Sequence, residues 1–106
     1  MNEETRVLID YAGRDIRLTS ERWQHILDHP EMGDQEERLA ETLREPDTVI
    51  ATQRDPTVQC YHRLYEDTPV TRKYLMIAVK VLDDDAFVIT AHFMSRLKRG
   101  TKIWPK

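Results

Sequence analysis

The stretch Tyr74-Leu75-Met76-Ile77-Ala78-Val79-Lys80-Val81-Leu82, followed by Asp83-Asp84-Asp85 and then by Ala86-Phe87-Val88-Ile89-Thr90-Ala91-His92-Phe93, decides the fold of this chain. Two apolar segments flank a tight acidic turn, the pattern of two neighbouring strands. Both are nearly continuous in apolar residues, over Leu75–Val79 and Phe87–Ile89, so each should be covered on both faces for part of its length. Upstream, Val58–Tyr65 and Thr48–Arg54 read as two further strands, separated by a turn at Asp55-Pro56, and a polar turn from Glu66 to Thr71 leads into the next strand. Four consecutive strands with short connections imply an antiparallel meander.

The cover must come from the N-terminal half. Thr19 or Ser20 is placed to cap a helix in which Trp23, Ile26 and Leu27 recur at helical spacing, and Pro30 stops it. Asp34-Gln35-Glu36-Glu37 resembles a capping box and opens a second helix that buries Leu39, Ala40 and Leu43 before Pro46. Ahead of both, Arg6–Tyr11 and Arg14–Leu18 read as a hairpin turning at Ala12-Gly13, where glycine permits positive φ. The expected fold is α+β: an N-terminal β-hairpin and two helices packed on a four-stranded antiparallel sheet, in one domain spanning residues 1–106.

The chain has 106 residues, 40% of them hydrophobic, enough for one core and too few for two. No apolar run approaches the roughly 20 residues that span a bilayer, and the N-terminus lacks the basic and apolar regions of a signal peptide. A soluble cytoplasmic protein with no membrane partner is expected. The single cysteine, Cys60, excludes an internal disulfide. It lies mid-strand with no glycine elbow around it, so it reads as a small buried hydrophobe.

The net charge of −3 argues against broad, charge-driven nucleic-acid binding, but the average hides an asymmetry. Glu31 to Asp47 holds seven acids against Arg38 and Arg44, whereas His92 to Lys106 holds five bases and no acid. Such a basic tail either meets phosphate or an acidic partner, or is a solvated, frayed terminus.

Four histidines are available for proton transfer. In Trp23-Gln24-His25-Ile26-Leu27-Asp28-His29-Pro30-Glu31, His25 and His29 stand four residues apart and share a helical face with Arg22, beside the apolar stripe. Histidine exchanges protons near neutral pH, so a pair at the rim of a sheet suits general acid-base chemistry; one capping the helix end and the other simply exposed is the plainer alternative. No second closely spaced ligand pair accompanies them, and the glutamate of His-Glu-x-x-His is missing, so no metal and no cofactor is expected. In the last strand, alternation puts Thr90 and His92 on one face with Val88, and Phe87, Ile89, Ala91 and Phe93 on the core face. Arg54, beside Asp55-Pro56, is a candidate phosphate ligand, against the alternative of a surface arginine paired with Asp55. In the Val58 strand, Tyr61, Arg63 and Tyr65 oppose Cys60, His62 and Leu64, and alternation leaves open which set faces the helices.

Taken in order, Arg22–Glu31, Leu43–Ile50, Tyr74–Val81 and Phe87–His92 resemble a group of small bacterial and phage-associated proteins of the barnase/EndoU/colicin/RelE-like nuclease superfamily. The resemblance covers about residues 16 to 104. It implies two helices on a four-stranded antiparallel sheet and metal-independent RNA cleavage, often in toxins. Carried over by position, the helix histidines fall on His25 and His29, the basic strand residue on Arg54, and the last-strand Thr-Ala-aromatic on Thr90, Ala91 and His92, where His92 replaces an expected tyrosine or phenylalanine. One histidine would take the proton of a ribose 2′-hydroxyl and the other would protonate the leaving 5′-oxygen, while Arg54 and Thr90 stabilise the phosphorane. Arg22, Tyr61, Arg63 and His92 are the expected substrate contacts, and RNA the expected partner. The alternative is a binding module that keeps the nuclease fold without catalysis and meets a small antitoxin-like protein or a second copy of itself.

Overall fold

The computed structural model describes residues 4–106. Its first turn forms where glycine allows it. Strands β1 (Thr5–Ile9) and β2 (Asp15–Thr19) pair antiparallel around a turn in which Gly13 takes φ 80°. Buried Asp10 holds this turn: Oδ1 accepts from the amides of Ala12 (3.0 Å) and Arg14 (2.8 Å). Its Oδ2 accepts from Arg14 Nη1 (3.2 Å) and Tyr61 Oη (2.6 Å), which ties the hairpin to a distant strand.

Helix α1 (Ser20–Ile26) follows directly, with Thr19 Oγ1 accepting from the Arg22 amide at 3.1 Å as a capping residue should. It closes on Leu27, before His29 is reached, and Pro30 opens a short 3-10 turn (Pro30–Met32) instead of ending the helix itself. Helix α2 (Glu36–Arg44) buries Leu39 and Leu43. The capping box expected from Asp34 does not form. Asp34 takes φ 65°, away from the extended backbone a capping residue needs, and Gln35 occupies the cap position without a side-chain bond.

Strands β3 (Thr48–Ala51), β4 (Val58–Tyr65), β5 (Lys73–Val81) and β6 (Ala86–Met94) form the expected antiparallel meander. The sheet is nevertheless larger than four strands. Among the described residues it has seven, in the order β1-β2-β6-β5-β4-β3-β7, with β7 at Thr101–Trp104. The hairpin joins one side through a parallel contact, Arg17 opposite Phe87, which makes the sheet mixed. Arg17 reinforces that junction by donating from Nε (2.9 Å) and Nη2 (2.7 Å) to the Asp85 carboxylate, holding its pKa below the usual carboxylate range, and by lying over the Phe87 ring. Strand β7 pairs with β3 on the other side.

A bulge in β6 overturns strict alternation there. Val88 pairs with Val79 and Thr90 with Ala78, so Ile89 is an extra residue between them. Val88 and Ala91 therefore both enter the core beneath the helices, with Ile26, Leu39, Leu43, Leu75 and Ile77. Ile89, expected on that face, instead packs with Cys60, Met76 and Ala78 on the opposite face, which Thr90 and His92 share. Residues 95–100 then run from the end of β6 beside Tyr74 to Ala51 at the far end of β3, so they cross this second face as a strap. Among the described residues, no helix is long and apolar enough to cross a membrane.

Candidate functional site

The second face of the sheet holds an open groove of about 640 Å³. Its floor is apolar and small, built from Val58, Cys60, Met76 and Ala78. Thr90 and His92 border it from β6, Arg54 from the turn after β3, and Lys98 and Arg99 from the strap. Three cations around an apolar floor suit a ligand with an anionic edge and a flat, uncharged body.

Arg54 is available to such a ligand because Asp55 is engaged elsewhere. Lys80 Nζ (2.7 Å), Thr57 Oγ1 (2.6 Å) and the Thr57 amide (3.1 Å) all donate to the Asp55 carboxylate. Lys80 first, then Thr57, pull its pKa down to about 2. The expected alternative pairing of Arg54 with Asp55 is thus replaced by a Lys80–Asp55 pair.

The histidines regroup relative to expectation. Because α1 ends at Ile26, His25 and His29 do not share a helical face. The His25 side chain is 57% exposed and has Asp28 as its neighbour, Nδ1 to Oδ2 3.8 Å. His29, in extended backbone at φ −87° and ψ 106°, turns the other way and brings its ring to 5.4 Å from that of His92, at a 44° tilt. The histidine pair is therefore His29 with His92, and His92 is the member that lines the groove.

Arg22 reaches the exposed edge of β6, where Nη1 lies 3.5 Å from the Ile89 carbonyl oxygen. Tyr61 and Arg63 lie elsewhere. In register with Ile77 and Ala91, Tyr61 is fully buried under the helices, with Oη on Asp10. Arg63 donates from Nη1 to the Glu45 carbonyl (2.6 Å) and stands 3.7 Å from Glu41. The structure brings Arg54, Thr90 and His92 to one groove, sets His29 against His92, and leaves Tyr61, Arg63 and His25 apart from them.

One residue of the groove face was not singled out from sequence. His62 is fully buried, with Nε2 accepting from the Lys98 amide at 2.9 Å and Nδ1 3.4 Å from the Thr48 carbonyl oxygen. Burial lowers its pKa, and the two contacts assign the proton to Nδ1. The available signal was parity: His62 lies two residues from Cys60, on the same side of β4. Cys60 is buried with its pKa raised by desolvation, which agrees with a structural thiol. Among the described residues, no three His, Cys, Asp or Glu side chains converge as a metal-ligand set.

A mixed sheet covered on one face by two helices and carrying a cationic, histidine-bordered groove on the other is the layout of a nuclease-like domain. Over residues 1–104 the chain matches the family described as phage-Barnase-EndoU-ColicinE5/D-RelE like nuclease2, and it belongs to that family. No curated protein and no solved structure gives a significant match.

Proposed function

We propose that this protein is a metal-independent ribonuclease of the toxin type, in which His29 and His92 transfer protons during attack of a ribose 2′-hydroxyl on the adjacent phosphate. The observation that carries the reading is the approach of His29 to His92, which itself borders a groove that also presents Arg54, Lys98 and Arg99. One histidine removes the 2′-hydroxyl proton as O2′ attacks phosphorus. The other gives a proton to the departing 5′-oxygen, leaving a 2′,3′-cyclic phosphate and a 5′-hydroxyl. Arg54 and the strap cations balance the charge that builds on the phosphorane, and the Thr90 hydroxyl donates to a phosphate oxygen. The apolar floor offers a splayed base a surface to lie on, which favours single-stranded RNA over a duplex.

Cleavage of total RNA in EDTA by the purified protein, compared with a folded His29→Ala/His92→Ala variant, tests this. Cleavage ending in cyclic phosphate and lost in the variant supports it. Cleavage unaffected by the variant removes the acid-base pair.

A second reading is favoured by one specific feature. Edge strand β1 leaves Val7 55% and Ile9 49% exposed, beside unpaired backbone groups, which suits strand addition by a protein partner. On this reading the domain binds a small antitoxin-like chain or a second copy of itself without cleaving RNA. Sedimentation across a concentration series detects the self-associating form, and loss of that association in Val7→Lys/Ile9→Lys assigns it to β1.

A further inference from the structure

We propose that His62 is the positioning residue for the groove's cationic wall: its imidazole, buried beneath the 95–100 strap, holds Lys98 and Arg99 at the groove by accepting the Lys98 amide proton. This rests on reading the groove as an RNA site.

The strap has no regular structure and every one of its residues is exposed, so its path over the sheet is fixed by point contacts. Two are visible. At one, Lys98 N donates to His62 Nε2 at 2.9 Å. At the other, Gly100 takes φ 150° and lies so close to the Ala51 carbonyl and the Ile50 side chain that a Cβ would run into them. Gly100 fixes where the strap ends, and His62 fixes the residue whose side chain, with its neighbour Arg99, faces the groove. The imidazole is itself held, with Nδ1 toward the Thr48 carbonyl and the Tyr74 ring edge-on at 6.4 Å. A strap freed from this acceptor keeps its two charges but spreads them over many conformations, and each phosphate contact then requires loop ordering on binding.

The effect is on binding and leaves the proton-transfer groups in place, which separates His62 from a catalytic residue. His62→Gln retains an acceptor toward the strap, and His62→Leu removes it at similar volume. Two readouts serve: residue-resolved exchange of the Lys98 amide, and the salt dependence of binding to a short single-stranded RNA with a 2′-deoxy cleavage site. Wild type and His62→Gln should protect the Lys98 amide and share one salt slope. His62→Leu should lose the protection and flatten the slope by about 1.4, two phosphate contacts at roughly 0.7 each, matching Lys98→Ala/Arg99→Ala. If His62→Leu does not fold, His62→Asn, which is too short to reach the strap, carries the same expectation.

Unchanged Lys98 protection in the variant overturns the anchor. Lost protection with unchanged slope overturns the positioning role while leaving the nuclease reading intact. Failure of wild type to bind the oligonucleotide overturns the nuclease reading, and the positioning role with it.

Discussion

The imidazole of His29 lies 5.4 Å from that of His92, ring centre to ring centre, joining the loop after α1 to the groove face of β6. Neither helix nor sheet makes this contact alone. The helix must stop early enough to release His29, and the end of β6, where Ala91 faces the core, must present His92 to the other side.

Replacing either of these two histidines should therefore be far more damaging than replacing His25. His29→Ala and His92→Ala are each expected to slow RNA cleavage by about 10²–10⁴-fold, the usual span for general acid-base help, with little change in circular dichroism. His25→Ala should cleave within about threefold of wild type. Equal losses at all three positions would count against the His29–His92 pairing.

Arg54 should act mainly through phosphate. Arg54→Ala is expected to weaken binding of a non-cleavable single-stranded RNA and to lower the salt slope by about 0.7, whatever the base sequence. Filter binding at several salt concentrations reads this. A change confined to one base sequence would assign Arg54 to base recognition instead.

Tyr61→Phe separates the two faces of the sheet. Tyr61 Oη donates to buried Asp10 at 2.6 Å, and burial drives its pKa far above the ordinary tyrosine value. Losing that bond should cost about 1.5–3 kcal/mol of stability, measured by urea denaturation, because the acceptor is a charged group left short of a donor. Cleavage by the folded protein should not change. A cleavage defect without a stability defect would return Tyr61 to the substrate side.

Burial lowers the pKa of His62 below the ordinary value of about 6.5, so the folded protein holds it neutral while the unfolded chain takes up a proton near that value. Between the two pKa values the unfolded state carries more protons, so this contribution is fully present above about pH 6.5 and is lost as the pH falls toward the folded value. The groups facing the ring, Lys98 from the strap and Tyr74 from β5, supply no anion to offset an imidazolium. The Tm of wild type is expected to fall more steeply from pH 7 to pH 5 than that of His62→Gln. Equal slopes would mean that His62 keeps the same protonation on unfolding. The Asp55–Lys80 pair acts in a separate window, losing its contribution as Asp55 protonates between its ordinary value near 3.8 and about 2.

Much of the fold was legible because it follows local rules. Leu75–Val79 is buried throughout, the hairpin turns at Gly13, and Thr19 caps α1. The capping signal at Asp34 was misleading because a left-handed residue cannot aim its carboxylate at the helix, and the φ angle is not written in the composition. Strand β7 was hidden because Thr101–Trp104 is short and largely exposed, and is recruited by β3 through the strap, not by its own alternation. The candidate site was half legible. Arg54, Thr90, His92 and His29 are named from residue type and order, and alternation gives Thr90 and His92 their common face, but the His29–His92 contact required the early end of α1 and the convergence on Arg54 required the sheet.

The sequence by itself determined the α+β class, the meander from β3 to β6, the apolar stripe that α2 buries, and the supply of histidines and cations, since period and side-chain chemistry act over a few residues. Only the tertiary structure decided which of them meet. Thr90 and His92 keep the face that alternation gives them, but a single inserted residue in β6 turns Val88 into the core and Ile89 out of it, Tyr61 stays in the core on β4, and a six-residue strap held at His62 and Gly100 brings basic side chains across the sheet. Side-chain direction along a strand depends on register with partners distant in the chain, and that register is set by packing of the whole sheet against its helices.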